Sequence, residues 1–200
     1  GYGFEYRNEK YGINKGEEAS YANYDPNQVQ ASGSQGFPGF SPDDVIKATR
    51  YNLSAYADAE LNVTNEWLVD AAVRAESYSD FGAVATFKLA TRVKLSNEFN
   101  LRASGSTGFR APSLQQINFS NTLTSFSGGQ LVQSRIARNG DMVTKAAGIP
   151  DLKEETSVNG SLGFAWKPAP GFTFTVDGYV VKVKDRVVLS GLFSADDATL

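Results

Sequence analysis

The sequence predicts an all-β protein, a wall of about seven antiparallel strands of the transmembrane β-barrel kind. Three observations predict it. Apolar and polar residues alternate with period two over long runs. Short turns and very long connections fall at opposite ends of those runs. Aromatic residues gather beside the short turns.

The strands follow in order. The first covers roughly residues 1 to 8. The second, about 49 to 63, sets Leu53, Ala55, Ala57, Ala59 and Leu61 against Asn52, Ser54, Tyr56, Asp58 and Glu60. The third, Trp67 to Tyr78, sets Val69, Ala71, Val73 and Ala75 against Asp70, Arg74 and Glu76, and the fourth, Ala83 to Leu95, sets Ala85, Phe87, Leu89 and Val93 against Lys88, Arg92 and Lys94. In the fifth, Leu101, Ala103, Gly105, Thr107 and Phe109 share one face, and Arg102, Ser104, Ser106, Gly108 and Arg110 the other. The sixth, Thr156 to Trp166, places Val158, Leu162, Phe164 and Trp166 opposite Ser157, Asn159 and Ser161. The seventh, Phe172 to Val188, is rich in β-branched residues, and its phase slips near Asp177-Gly178, where a bulge is expected.

Residues 64–66, 96–98 and 167–171 form tight turns, whereas roughly 9–48 and 111–155 are long connections. With antiparallel neighbours, both long loops and the Ser79–Gly82 turn leave at one end and all three tight turns at the other. Loops this long count against a compact soluble domain and suit a barrel with long extracellular loops. Trp67, Phe99, Trp166 and Phe172 flank the tight turns, at the level of an interfacial girdle; Tyr78, Phe81 and Phe109 lie near the other end. The competing arrangement is a β-sandwich whose apolar faces meet in a dry core, serving as a soluble or surface-exposed carbohydrate-binding or adhesion module.

Composition narrows the function. Net charge is −3, with 19 Lys+Arg against 22 Asp+Glu and no basic stripe, so no nucleic-acid partner is expected. No run of apolar residues is long enough for a membrane helix. Cysteine and histidine are both absent, which removes thiolate sites, histidine ligands and a Ser-His-Asp triad from this chain. No enzyme activity, cofactor or metal is expected. The opening residues Gly1 to Arg7 read as mid-strand, and the chain is expected to be a piece of a longer, processed polypeptide.

Four segments resemble the C-terminal barrel of TonB-dependent outer-membrane receptors: Arg74-Ala75-Glu76-Ser77-Tyr78-Ser79-Asp80-Phe81-Gly82, Leu101-Arg102-Ala103-Ser104 through Gly108-Phe109-Arg110-Ala111-Pro112-Ser113-Leu114, Leu152-Lys153-Glu154-Glu155-Thr156-Ser157, and Asp177-Gly178-Tyr179 through Asp185-Arg186-Val187. The resemblance implies part of a 22-stranded outer-membrane barrel whose plug domain lies outside this chain. It also implies import of a scarce nutrient, a ferric siderophore by default, with energy from the TonB complex acting through the missing N-terminal region, and outer-membrane lipid around the wall.

Candidate site residues follow. Arg110, leaving the fifth strand on its polar face, is either a ligand or plug contact or an arginine that pairs with a neighbouring strand carboxylate. Arg74, Glu76, Arg92 and Arg102 are expected on a mixed-charge lumen wall facing the plug. Tyr21, Tyr24, Phe37, Phe40, Phe119 and Phe126 lie in the long loops, where aromatics either grip a ligand or pack a loop onto itself. The acid pairs Glu17-Glu18, Asp43-Asp44, Glu154-Glu155 and Asp196-Asp197 are expected to be solvated rather than calcium-binding.

Overall fold

The computed structural model describes residues 1–27, 32–34, 38–127 and 130–193, with only the backbone for 125–127 and 130–131. Seven strands form one antiparallel sheet in the order β1-β2-β3-β4-β5-β8-β9: β1 Tyr2–Ile13, β2 Ile46–Asn62, β3 Trp67–Tyr78, β4 Gly82–Lys94, β5 Phe99–Arg110, β8 Glu155–Ala169 and β9 Phe172–Lys184. These are the seven strands of the sequence pattern, in sequence order, and the sheet does not close on itself within this chain. Two long strands extend further than expected, so the first loop shrinks to residues 14–45. The second loop holds a hairpin that the pattern did not reveal, β6 Asn121–Ser127 with β7 Gln130–Ile136, and the short helices α2 Leu114–Asn118 and α3 Met142–Ala146. A further turn of helix, α1 Glu18–Tyr21, lies in the first loop.

The chain divides into two compact units. The wall unit holds Gly1–Asn8, Tyr51–Ala111 and Lys153–Val187; the loop unit holds Glu9–Arg50, Pro112–Leu152 and the residues from Val188.

In the wall unit the register fixes two faces, because directly opposed residues of antiparallel strands share a face. Ala55↔Ala75↔Ala85, Leu89↔Gly105, and Leu101↔Phe164↔Val176 carry one apolar face across the sheet. Nothing covers it among the described residues. Phe4 is 86% exposed, and Leu53, Phe87, Leu89 and Leu162 are exposed as well. Ile13, Leu114 and Pro112, all in the loop unit, are buried apolar side chains. A sandwich would bury the greasy face against a second sheet, and among the described residues the only other sheet is the small β6-β7 hairpin. The dry-core arrangement is therefore overturned.

The expected bulge at Asp177-Gly178 is not there. Pairing of β8 with β9 is continuous from Thr156↔Lys184 to Trp166↔Phe174, and the irregularity lies between Trp166 and Ala169, at the turn. The phase appeared to slip because β9 puts Tyr179, Val181 and Val183 on the polar face. The aromatics beside the tight turns do share the apolar face. Phe99 lies opposite Trp166, the Phe99 and Phe164 rings stack at 5.4 Å, and Phe174 sits 6.1 Å from Phe164.

The β4-β5 ladder runs only from Lys88↔Ser106 to Lys94↔Asn100, although both strands continue toward the loop end. There the Phe87 N–H turns to the Thr107 hydroxyl at 3.0 Å. Tyr78 fills in with an edge-on contact to Phe109 at 6.0 Å and a stacked one to Phe81 at 4.4 Å.

Candidate functional site

On the polar face of the wall, the signature strand β5 is bonded side chain by side chain to β8 and β9. Arg102 forms a two-bond ion pair with Asp177, its Nε donating at 2.7 Å. The two residues belong to strands on either side of β8, and the position between them is Gly163. A Cβ at Gly163 would lie 1.9 Å from Asp177 Oδ1 and 2.8 Å from the Val176 carbonyl oxygen. Glycine is therefore what allows the charges to meet over the strand. Ser104 and Ser161 hydroxyls lie 2.7 Å apart, and Asn159 donates to Ser106 at 3.4 Å.

At the strand end, Arg110 lies opposite Glu155 and donates two hydrogen bonds to its carboxylate, at 2.9 and 2.6 Å. Glu155 Oε1 also accepts from the Val187 backbone N–H at 2.8 Å. The bidentate geometry matches the planar guanidinium to the carboxylate. Of the two roles expected for Arg110, the pairing with a neighbouring strand carboxylate is the contact present. Glu155 is accordingly not the solvated acid expected from Glu154-Glu155: its side chain is 11% exposed and engaged on both sides.

A second charged cluster spans β1 to β3. Arg74 donates to Glu76 at 2.6 Å, to Glu5 at 2.9 Å and to the Ser54 hydroxyl at 2.9 Å, and its guanidinium sits 5.8 Å from the Tyr56 ring centroid. Tyr78 donates to the other Glu76 oxygen at 3.0 Å. Lys88 reaches Asp70 at 2.6 Å. Arg92 joins neither cluster. It is exposed and lies directly opposite Arg102, whose charge is already met by Asp177. A hollow of about 340 Å³ opens on this face, lined by Tyr56, Asp58, Arg74, Thr86, Lys88 and Ser106 among others.

The loop unit is built differently, around buried polar groups. Asp44 is 1% and Ser120 0% exposed. Ser120 donates to Asp44 Oδ1 at 2.6 Å and accepts from Arg135 at 3.3 Å. The other Asp44 oxygen accepts from the Ser41 N–H and hydroxyl, both at 2.9 Å, closing a capping box on the turn Pro42–Asp44. Burial works to raise the Asp44 carboxyl, but these hydrogen bonds and the nearby Arg135 charge outweigh it and hold the group below its ordinary value. Asp43-Asp44 is therefore not a solvated pair, since its second member is a buried structural carboxylate. Arg138 ties the two loops together through the carbonyl oxygens of Asp43, Val45 and Asn118, at 2.9, 3.3 and 3.2 Å.

Arg50, which the sequence pattern did not single out, is 4% exposed, ion-paired to Glu9, and donates to the Pro112 carbonyl oxygen at 2.7 Å. Ser113 then caps α2 in a capping box with Gln116. The loop aromatics scatter. Phe40 and Phe119 pack edge to face at 6.2 Å, Tyr21 ends α1 half-buried, and Tyr24 is 69% exposed. Phe37, the Phe126 side chain and Asp196-Asp197 lie outside the described residues. Among the described residues no cluster of acidic side chains is arranged to hold a metal ion.

The family model described as TonB dependent receptor-like, beta-barrel matches residues 1–199. The chain belongs to the TonB-dependent receptor family and forms part of its β-barrel. The barrels of this family are outer-membrane proteins, and the family is one of receptors rather than enzymes. Among solved structures it is similar to the siderophore receptor PirA of Acinetobacter baumannii, at 21% identity and a TM-score of 0.63 over 92% of this chain and 24% of that one. It is also similar to a ferric enterobactin receptor, PfeA, of Pseudomonas aeruginosa, at 17% identity and a TM-score of 0.63 over 90% of this chain and 23% of that one. The PirA receptor of Pseudomonas aeruginosa follows, at 21% identity and a TM-score of 0.59, over 75% of this chain and 27% of that one. The chain thus spans about a quarter of these receptors' length. No curated protein sequence matches it.

Proposed function

We propose that this chain is part of the wall and outer loops of an outer-membrane active-transport receptor that binds a scarce nutrient, by default a ferric siderophore, and imports it with TonB-coupled energy. The observation that carries the reading is the two-faced wall. One face is apolar and uncovered, suited to lipid. The other holds ion pairs and hydroxyl bonds, suited to a polar lumen filled by a plug domain elsewhere in the protein. Solved neighbours that are siderophore receptors, one of them in complex with enterobactin, support the choice of ligand class. In this reading Arg74, Glu76, Arg92 and Arg102 face the plug. Tyr21, Tyr24, Phe37, Phe40, Phe119 and Phe126 supply the outer binding surface, and Arg110 fixes the base of the second loop.

The test is uptake of radiolabelled iron, supplied as ferric siderophores, by iron-starved cells that carry or lack the intact receptor. Uptake that depends on both the receptor and the proton gradient is the expected result. Equal uptake in both strains with every siderophore offered would sink the substrate assignment.

A further inference from the structure

The apolar face of the wall unit is uncharged at every position of its paired strands except two. Those two are Lys182 and Lys184, on β9. Their face is set by register. Lys182 lies opposite Val158, which lies opposite Thr107, and Lys184 lies opposite Thr156, which lies opposite Phe109. Asp177, on the other face of the same strand, bonds Arg102, so the phase of β9 is fixed independently. Both lysines are exposed, and none of the hydrogen bonds or ion pairs of the described residues engages either ammonium group.

Position adds to composition. β9 leaves a tight turn at Phe172 and ends toward the long-loop side, so Phe174, Val176 and Val180 come first on this face and the lysines last. No carboxylate shares the face. A water-facing surface of this size would mix both signs, whereas a belt of apolar residues that changes to lysine alone is what the edge of a bilayer with an anionic surface selects.

We propose that Lys182 and Lys184 form a site for the phosphate-bearing headgroups of lipid in the leaflet on the loop side. Acyl chains would lie along Val158, Leu162, Val176 and Val180. The two ammonium groups, on alternate residues of one strand and so about 7 Å apart, reach the phosphates. The assignment rests on the membrane-barrel reading above.

The test uses the intact receptor, reconstituted into phosphatidylcholine vesicles doped with lipid A, a bis-phosphorylated acylated disaccharide. Lipids retained on the receptor after detergent extraction are counted by mass spectrometry. Wild type is expected to retain lipid A well above its bulk proportion, a Lys182→Gln/Lys184→Gln receptor to lose roughly tenfold of that enrichment, and Lys182→Arg/Lys184→Arg to keep it. Excess inorganic phosphate should leave the enrichment unchanged; if it abolishes it, the site is one for free phosphate and the lipid assignment falls. Equal enrichment in wild type and the glutamine variant, or none in wild type, overturns the proposal while leaving the barrel intact. A receptor that fails to float with the vesicles overturns the membrane reading itself.

Discussion

The wall unit and the loop unit solve the same problem, ordering a polar chain, in opposite ways. In the wall, backbone ladders satisfy the main chain, and charged side chains pair along one face, the Arg102–Asp177 pair in the open. Arg102 and Asp177 are each about half exposed. In the loop unit few ladders exist, so buried side chains do the ordering: Asp44, Ser120 and Arg50 are nearly or wholly sequestered. An exposed pair can be lost cheaply because water replaces the partner. A buried one leaves an orphaned group behind. Point changes should therefore damage the loop unit more than the wall, although the wall holds more ion pairs.

The largest expected effect is from Asp44→Ala. It leaves the fully buried Ser120 hydroxyl, and the Ser41 N–H and hydroxyl, without their acceptor, at a cost to the loop unit of about 2–4 kcal/mol. Hydrogen exchange should show residues 38–45 and 112–120 losing protection together while β2–β5 stay protected; loss confined to one loop would break the comparison. The same carboxylate sets a pH dependence. Its folded value lies below the ordinary 3.8, so its stabilisation is fully present above about pH 4 and is lost as pH falls through the folded value. Loop protection in wild type should drop below about pH 4, and Asp44→Asn should remove that step.

Next comes Arg50→Met, which frees the Pro112 carbonyl and leaves Glu9 unpaired at a cost of about 2–3 kcal/mol. Limited proteolysis near residues 111–118 should report it. Gly163→Ala is smaller, about 1–2 kcal/mol, because the new methyl meets the Val176 carbonyl and displaces Asp177. Its sharper readout is an Arg102–Asp177 double-mutant cycle, whose coupling should vanish in the Ala background. Smallest is the Phe40–Phe119 contact, where a double-mutant cycle should return about 0.5–1.5 kcal/mol.

The wall was legible in the sequence because its information is local. Period-two alternation sets the face of each residue, and the tight turns set the register, so the seven strands and the shared polar face of Arg74 and Glu76 followed directly. The segments carrying the family resemblance acquire a physical meaning in the structure: Arg102 of one meets Asp177 of another, and Glu155 accepts from both Arg110 and the Val187 backbone N–H. The loop unit was illegible because its contacts are distant. Arg50 continues the polar phase of β2 and looks like any other wall residue until the Pro112 segment covers it. Asp44 looked solvated beside Asp43, although Ser41-Pro42-Asp43-Asp44 carries the spacing of a capping box and was the available signal. The β6-β7 hairpin breaks period-two alternation, with Leu123 and Phe126 three residues apart and Leu131 beside Val132, too irregular a pattern to stand out.

The most direct test of the central claim, that the uncovered face of the wall meets lipid, is tryptophan quenching. The intact receptor would be folded into vesicles of brominated lipid, with Trp67 or Trp166 kept in turn and the other changed to Phe. Both sit on the apolar face, each a little under half exposed. Quenching of both is the predicted result. A folded protein, soluble without detergent, in which neither is quenched would contradict the account.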